Sequence, residues 1–197
     1  MAFDKLLCST ESSPRLTPVE PGSAPFFCFA LLTVSCAVAS LAFACATPFA
    51  AFAVVAAAML PLIPAFAVVT GAWLVSQGIG FGALHYPVDA NTMLWGLAIG
   101  VAALVATAAS ALVLCIFPRN VTPVRLALAL VCALVGAYCC YEFVIFAATP
   151  FLGGAENFSL PVIAQLGGLS IAWLSALVAV CEIARLFYSE RRGRAAI

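Results

Sequence analysis

Long apolar runs separated by short polar breaks dominate the chain, and the spacing of the breaks predicts its elements. From Pro21 to Val88 there is no Asp, Glu, Lys or Arg, and from Phe26 to Leu84 nearly every residue is apolar. Three more runs follow: "NTMLWGLAIGVAALVATAASALVLCIF" stops at Pro118, "VRLALALVCALVGAYCCYEFVIFAA" stops before Thr149 and Pro150, and "PVIAQLGGLSIAWLSALVAVCEIARLF" leads into a basic tail. None of them alternates in the manner of a barrel strand, so helices are expected.

A helix crossing about 30 Å of hydrocarbon needs about 20 residues, within a range of roughly 17 to 25. The first long run is therefore too long for two crossings and short for three. Proline interrupts helices and displaces the residue before it from the helical region. Pro48, Pro61 and Pro64 divide the run into predicted spans at 26–46, 49–63 and 65–84, the middle one marginal in length. Six spans result, with five as the alternative.

Charge orients these spans. Arg119 and Arg125 share one short loop and Arg185, Arg191, Arg192 and Arg194 cluster near the C-terminus, whereas the loops at 85–91 and 149–160 hold no Lys or Arg. Basic loops are retained in the cytoplasm. Six spans also place Lys5 and Arg15 there, while five would put them outside. The expected fold class is thus all-α, a polytopic membrane helix bundle with both termini cytoplasmic. Residues 1–25, rich in Ser and Pro, read as a flexible tail, 26–187 as the bundle and 188–197 as a basic tail. A cleaved leader ending at "FACA" before Thr47 is the competing reading, opposed by its length and by three acids ahead of its apolar core.

Composition supports lipid as the solvent: 65% of the 197 residues are apolar and 8% charged, against about 25% charged in ordinary globular domains. Net charge is zero and basic residues are sparse outside the C-terminal cluster, which argues against a nucleic-acid partner. Most of the nine cysteines fall inside predicted spans and none forms a CxxC pair, so they read as small buried residues. Vicinal Cys139 and Cys140 point to different sides of a helix.

The remaining polar groups gather on the side opposite the basic loops. Gln77, Glu142 and Gln165 each lie within about two turns of the outer end of their span, at 1.5 Å per residue. His85, Tyr86, Asp89, Asn91, Glu156 and Asn157 lie beyond them in the external loops. Seven of these are candidate ligand contacts: Gln77, His85, Tyr86, Asp89, Asn91, Glu142 and Gln165. Glu142 is the most informative, because an ionisable group within a span is costly and faces protein or water. Its bland alternative is a neutral carboxyl bonded to Tyr141 or a neighbouring helix. His85, the only histidine, is the one candidate metal ligand, through a neutral ring nitrogen; the alternative is an interfacial loop residue. "DANT" (89–92) offers N-cap oxygens to the fourth span, and capping is the first reading of Asn91. Gln77 and Gln165 are equally suited to bonding between helices, and Trp95 to anchoring at the membrane boundary. Glu182 and Arg185, three apart, have the spacing of a surface ion pair. "GIGFGA" lacks the strand and the phosphate-binding context of a dinucleotide loop.

No HExxH, GxSxG or carboxylate pair is present, so an enzyme is not expected. A self-sufficient transporter shows repeats and matched broken helices, which are not evident. A substrate-capture subunit needs less. In layout the chain resembles the S-components of energy-coupling-factor transporters: 20.4 kDa, six spans, cytoplasmic termini and alanines at four-residue spacing (Ala42, Ala46, with Ala50 following). That resemblance implies capture of a vitamin or metal-containing cofactor from outside, a separate transmembrane coupling subunit, and separate ATPases, in a bacterial inner membrane. A cobalamin-type ligand would let His85 approach cobalt, though a thiol or no protein ligand is equally compatible. The alternative function is a small accessory or assembly subunit of a larger membrane complex. The two differ in whether Gln77, Glu142 and Gln165 surround a cavity or pack against helices and partners.

Overall fold

The computed structural model describes residues 15–43, 47–117, 122–154 and 158–195, with side chains to Arg191. Six helices occur among them: α1 Ala24–Phe43, α2 Phe49–Met59, α3 Leu62–Gly82, α4 Ala90–Ile116, α5 Pro123–Leu152 and α6 Leu160–Ala195. Five are long and apolar enough to cross a membrane, and α2, at 11 residues, is the exception. Its length is roughly 16 Å. The protein is an integral membrane helix bundle.

The path of α2 keeps the polarity expected of six spans. Contacts between α1 and α3 advance together along both helices, from Phe29 beside Gly71 to Cys36 on Ala72 O and Ser40 on Ser76, so these two run parallel. The short α2 must therefore return the chain across the bundle between them. Beyond it, α3 and α4 are antiparallel, with Trp73 against Gly100 and Gln77 against Gly96. So are α5 and α6, through Tyr138 on Ile163 O and Phe146 against Phe158.

Every α2 residue except Ala57 is buried, and the helix packs against all five others. A helix that is apolar all round belongs inside a bundle; its sequence, FAAFAVVAAAM, meets that condition. The bundle is arranged with small residues inside and large ones out. Ala102, Ala103 and Ala106 of α4 and Ala129, Ala133 and Ala137 of α5 are fully buried, whereas Phe26, Ile63, Leu97, Val135, Phe143 and Ile183 face outward. Small residues let helix backbones approach, which is the main attraction available where lipid is as apolar as leucine.

Several boundaries differ from expectation. The fifth helix does not stop before Thr149 and Pro150 but continues to Leu152. Pro150 deprives the Phe146 carbonyl of its usual donor four residues on, and the Thr149 hydroxyl supplies one at 2.8 Å. Gly153, with φ 82°, then ends the helix. Pro64 sits in the first turn of α3, where proline costs no hydrogen bond. The basic tail continues α6 as helix to Ala195. Of the N-terminal tail, residues 1–14 lie outside the described residues, as do the loop carrying Arg119 and the pair Glu156 and Asn157. From Arg15 onward the chain is docked: its guanidinium donates to the terminal carbonyls of α4, at Leu114 and at Phe117 (2.7 Å for the latter), while Leu16 is buried.

Candidate functional site

One partly open cavity of about 420 Å³ stands out, bounded by the start of α2, α4, α5 and the first three turns of α6. Its floor is the segment Thr47 to Ala50, where the chain turns back into the bundle. Thr47 is held there by side-chain bonding: its hydroxyl lies 3.3 Å from that of Ser40, which in turn reaches Ser76 at 3.5 Å. This buried polar chain ties α1, α2 and α3 together at one depth. It explains how a chain can reverse inside an apolar bundle.

The walls are aromatic. Trp95 comes from α4, Tyr138 and Tyr141 from α5, Phe158 from just before α6, and Phe49 from α2. Glu142 lines the same cavity, one turn beyond Tyr138 on α5, and the two side chains are hydrogen-bond neighbours. The Tyr138 hydroxyl donates to Ile163 O at 2.7 Å, and Ser170, another lining residue, donates to Leu166 O at 2.9 Å. Both hydroxyl protons are thus engaged within the protein, with Ile163 O or Glu142 for Tyr138 and with Leu166 O for Ser170, leaving none for a ligand. Among the described lining residues there is no Lys, Arg or His.

Of the seven sequence candidates only Glu142 lines this cavity. Gln77 lies at the α3–α4 contact, its amide oxygen against the spot a side chain on Gly96 would fill, so it serves helix packing. Gln165 is exposed on α6 and is not among the cavity's lining residues, although Val162 and Leu166 beside it are. His85 is exposed, in the left-handed region at φ 55°, with Nδ1 3.1 Å from Ala83 O in its own turn. No group of three His, Cys, Asp or Glu suited to a metal occurs among the described residues. Tyr86 covers Gly80 and meets Phe81 edge-on, closing the end of α3.

Asp89, not Asn91, caps α4. The helix starts at Ala90, one residue earlier than expected, so Asn91 already lies in its first turn, exposed. Asp89 accepts from Thr92 N at 2.8 Å and from the Thr92 hydroxyl at 3.0 Å. These bonds hold its carboxyl below the usual range. Glu182 and Arg185 form the expected exposed ion pair at 2.7 Å.

The aromatic walls were present in the sequence as "YCCYEF". Spacings of three and four put Tyr138, Tyr141, Glu142 and Ile145 toward one side of α5. Trp95, read as an interfacial anchor, lines the cavity instead. The contribution of Thr47 to Ala50 carries no local signal, since it depends on α2 ending inside the bundle.

Fold and cavity together define a class: an integral membrane helix bundle with an aromatic, carboxyl-bearing cavity. Compared with known proteins, the chain matches no family model, no curated protein and no solved structure.

Proposed function

We propose that the protein captures a small, largely apolar molecule in the cavity around Glu142, as the membrane-embedded capture subunit of an uptake system. The observation that carries this reading is a cavity of about 420 Å³ enclosing a carboxyl group within an otherwise apolar bundle. Ligand sites are concave, mostly apolar and hold a few convergent polar groups, commonly within about 300–1,000 Å³. An intramembrane acid that served only packing would not need space beside it. The basic ends of the helices orient the cavity outward under the positive-inside rule, in a bacterial inner membrane. Energy would come from a separate coupling subunit and its ATPases. The cobalamin form of the idea loses its motive, because His85 stands outside the cavity and bonds to its own turn.

A second reading, an accessory subunit, has Gln165 in its favour. This amide is exposed on α6 among outward apolar residues, where a partner helix would satisfy it.

Native mass spectrometry of protein extracted gently from its own membrane separates the two. Capture predicts a co-purifying small molecule, lost from Glu142→Gln and retained by Gln165→Ala. Ligand-free protein arriving with stoichiometric partner subunits that dissociate in Gln165→Ala would establish the accessory reading instead.

A further inference from the structure

We infer that the cavity is built for a cation, specifically the protonated form of an apolar amine. The inference rests on the capture reading and specifies its ligand class. Three features of the lining agree on the sign of charge. Glu142 provides the one carboxyl group among the described lining residues, and no basic side chain there neutralises it. Phe49, Trp95, Tyr138, Tyr141 and Phe158 present ring surfaces, whose quadrupoles attract cations. The Ser170 hydroxyl has spent its proton on Leu166 O, and that of Tyr138 is engaged with Ile163 O and Glu142, so neither offers a donor to an anion.

An anion would meet the like charge of Glu142 and no basic side chain among the described lining residues. A neutral hydrocarbon would fill the space but offer the carboxyl no donor beyond its neighbour Tyr138. An ammonium group satisfies all three: it pairs with Glu142, needs no proton from the hydroxyls and lies against the rings. Its hydrocarbon portion takes the apolar remainder formed by Ile99, Ile145 and Leu166.

The test compares two probes of one shape, N,N-dimethyl-2-phenylethylamine, which is protonated at neutral pH, and isopentylbenzene, its uncharged carbon isostere. Binding is followed by equilibrium dialysis against the full chain in nanodiscs, with empty nanodiscs subtracted. The amine is expected to bind at least about ten-fold more tightly, since ring contacts and one charge pair together exceed the ~1.4 kcal/mol that ten-fold requires. Glu142→Gln should abolish that preference while leaving the hydrocarbon's affinity unchanged. Val162→Phe, which adds bulk at a half-exposed position of the lining, should weaken both probes and so places them in the cavity. Equal affinities, or a preference that persists in Glu142→Gln, would overturn the cation assignment and leave capture standing. If neither probe responds to Val162→Phe, capture in this cavity fails, and the assignment with it. Unchanged thermal unfolding of both variants checks that they remain folded.

Discussion

Asp89 and Arg15 show how single residues close the ends of one helix, each by the rule for its terminus. The first turn of a helix has free N–H groups and the last turn free carbonyls. Asp89 accepts from Thr92 at the start of α4, and Arg15, about a hundred residues away in sequence, donates to Leu114 and Phe117 at its end. The charges also match the helix dipole, negative at the N-terminus and positive at the C-terminus. The folded carboxyl of Asp89 sits below its ordinary value, so the stabilisation is fully present above the ordinary carboxyl range. It is lost as pH falls through the lowered folded value. Amide exchange at Thr92 should therefore be faster in Asp89→Ala than in the native chain near neutral pH, and the difference should close in acid. A difference that persists unchanged in acid would remove the charge from the account.

At the scale of elements, α3 and α4 meet through glycines that admit large side chains from the facing helix. A Cβ built on Gly100 would lie 2.7 Å from the Trp73 ring. The ring cannot move aside freely, because its N–H donates to Gly96 O at 2.9 Å. Gly100→Ala should therefore lower stability by about 1–3 kcal/mol, the usual cost of overpacking. Gly78→Ala, on the same pair of helices but with nothing within 4 Å, is the control and should be neutral or slightly stabilising. Thermal unfolding in detergent reads both; equal losses would mean that the α3–α4 contact relaxes around the added methyl. That Gly96 and Gly100 lie within a membrane span was legible in the sequence. Their partners were not, because a contact between helices depends on rotation and depth, which no spacing within one helix specifies.

For the whole molecule, the half-length α2 is the decisive element, since it restores the parity of six crossings with only five full spans. The start of α1 and the 85–91 turn then lie on opposite faces of the membrane. An epitope inserted after Val88 should be reached by antibody from one side of sealed vesicles and an N-terminal epitope only from the other. Reactivity of both from the same side would exclude the parallel arrangement of α1 and α3 inside a bilayer. The same short helix creates the cavity, because it begins inside the bundle and leaves the space beside its first turn to α4, α5 and α6.

The amino-acid sequence by itself determined what depends on local sums: an all-helical membrane bundle, the breaks near Pro48 and Pro61, the segregation of basic loops, the Glu182–Arg185 pair and the position of Glu142 within a span. Hydropathy and charge act residue by residue, so their consequences can be added along the chain. Only the tertiary structure decided that α2 lies buried at the centre, that Gln77 and Gln165 part company with Glu142, and that Trp95, Tyr138 and Phe158 surround it. Those outcomes follow from which helix faces fit closely when all six are packed at once. In lipid, where every outward face is equally satisfied by apolar side chains, that fit of small residues against large ones is the force that selects the arrangement.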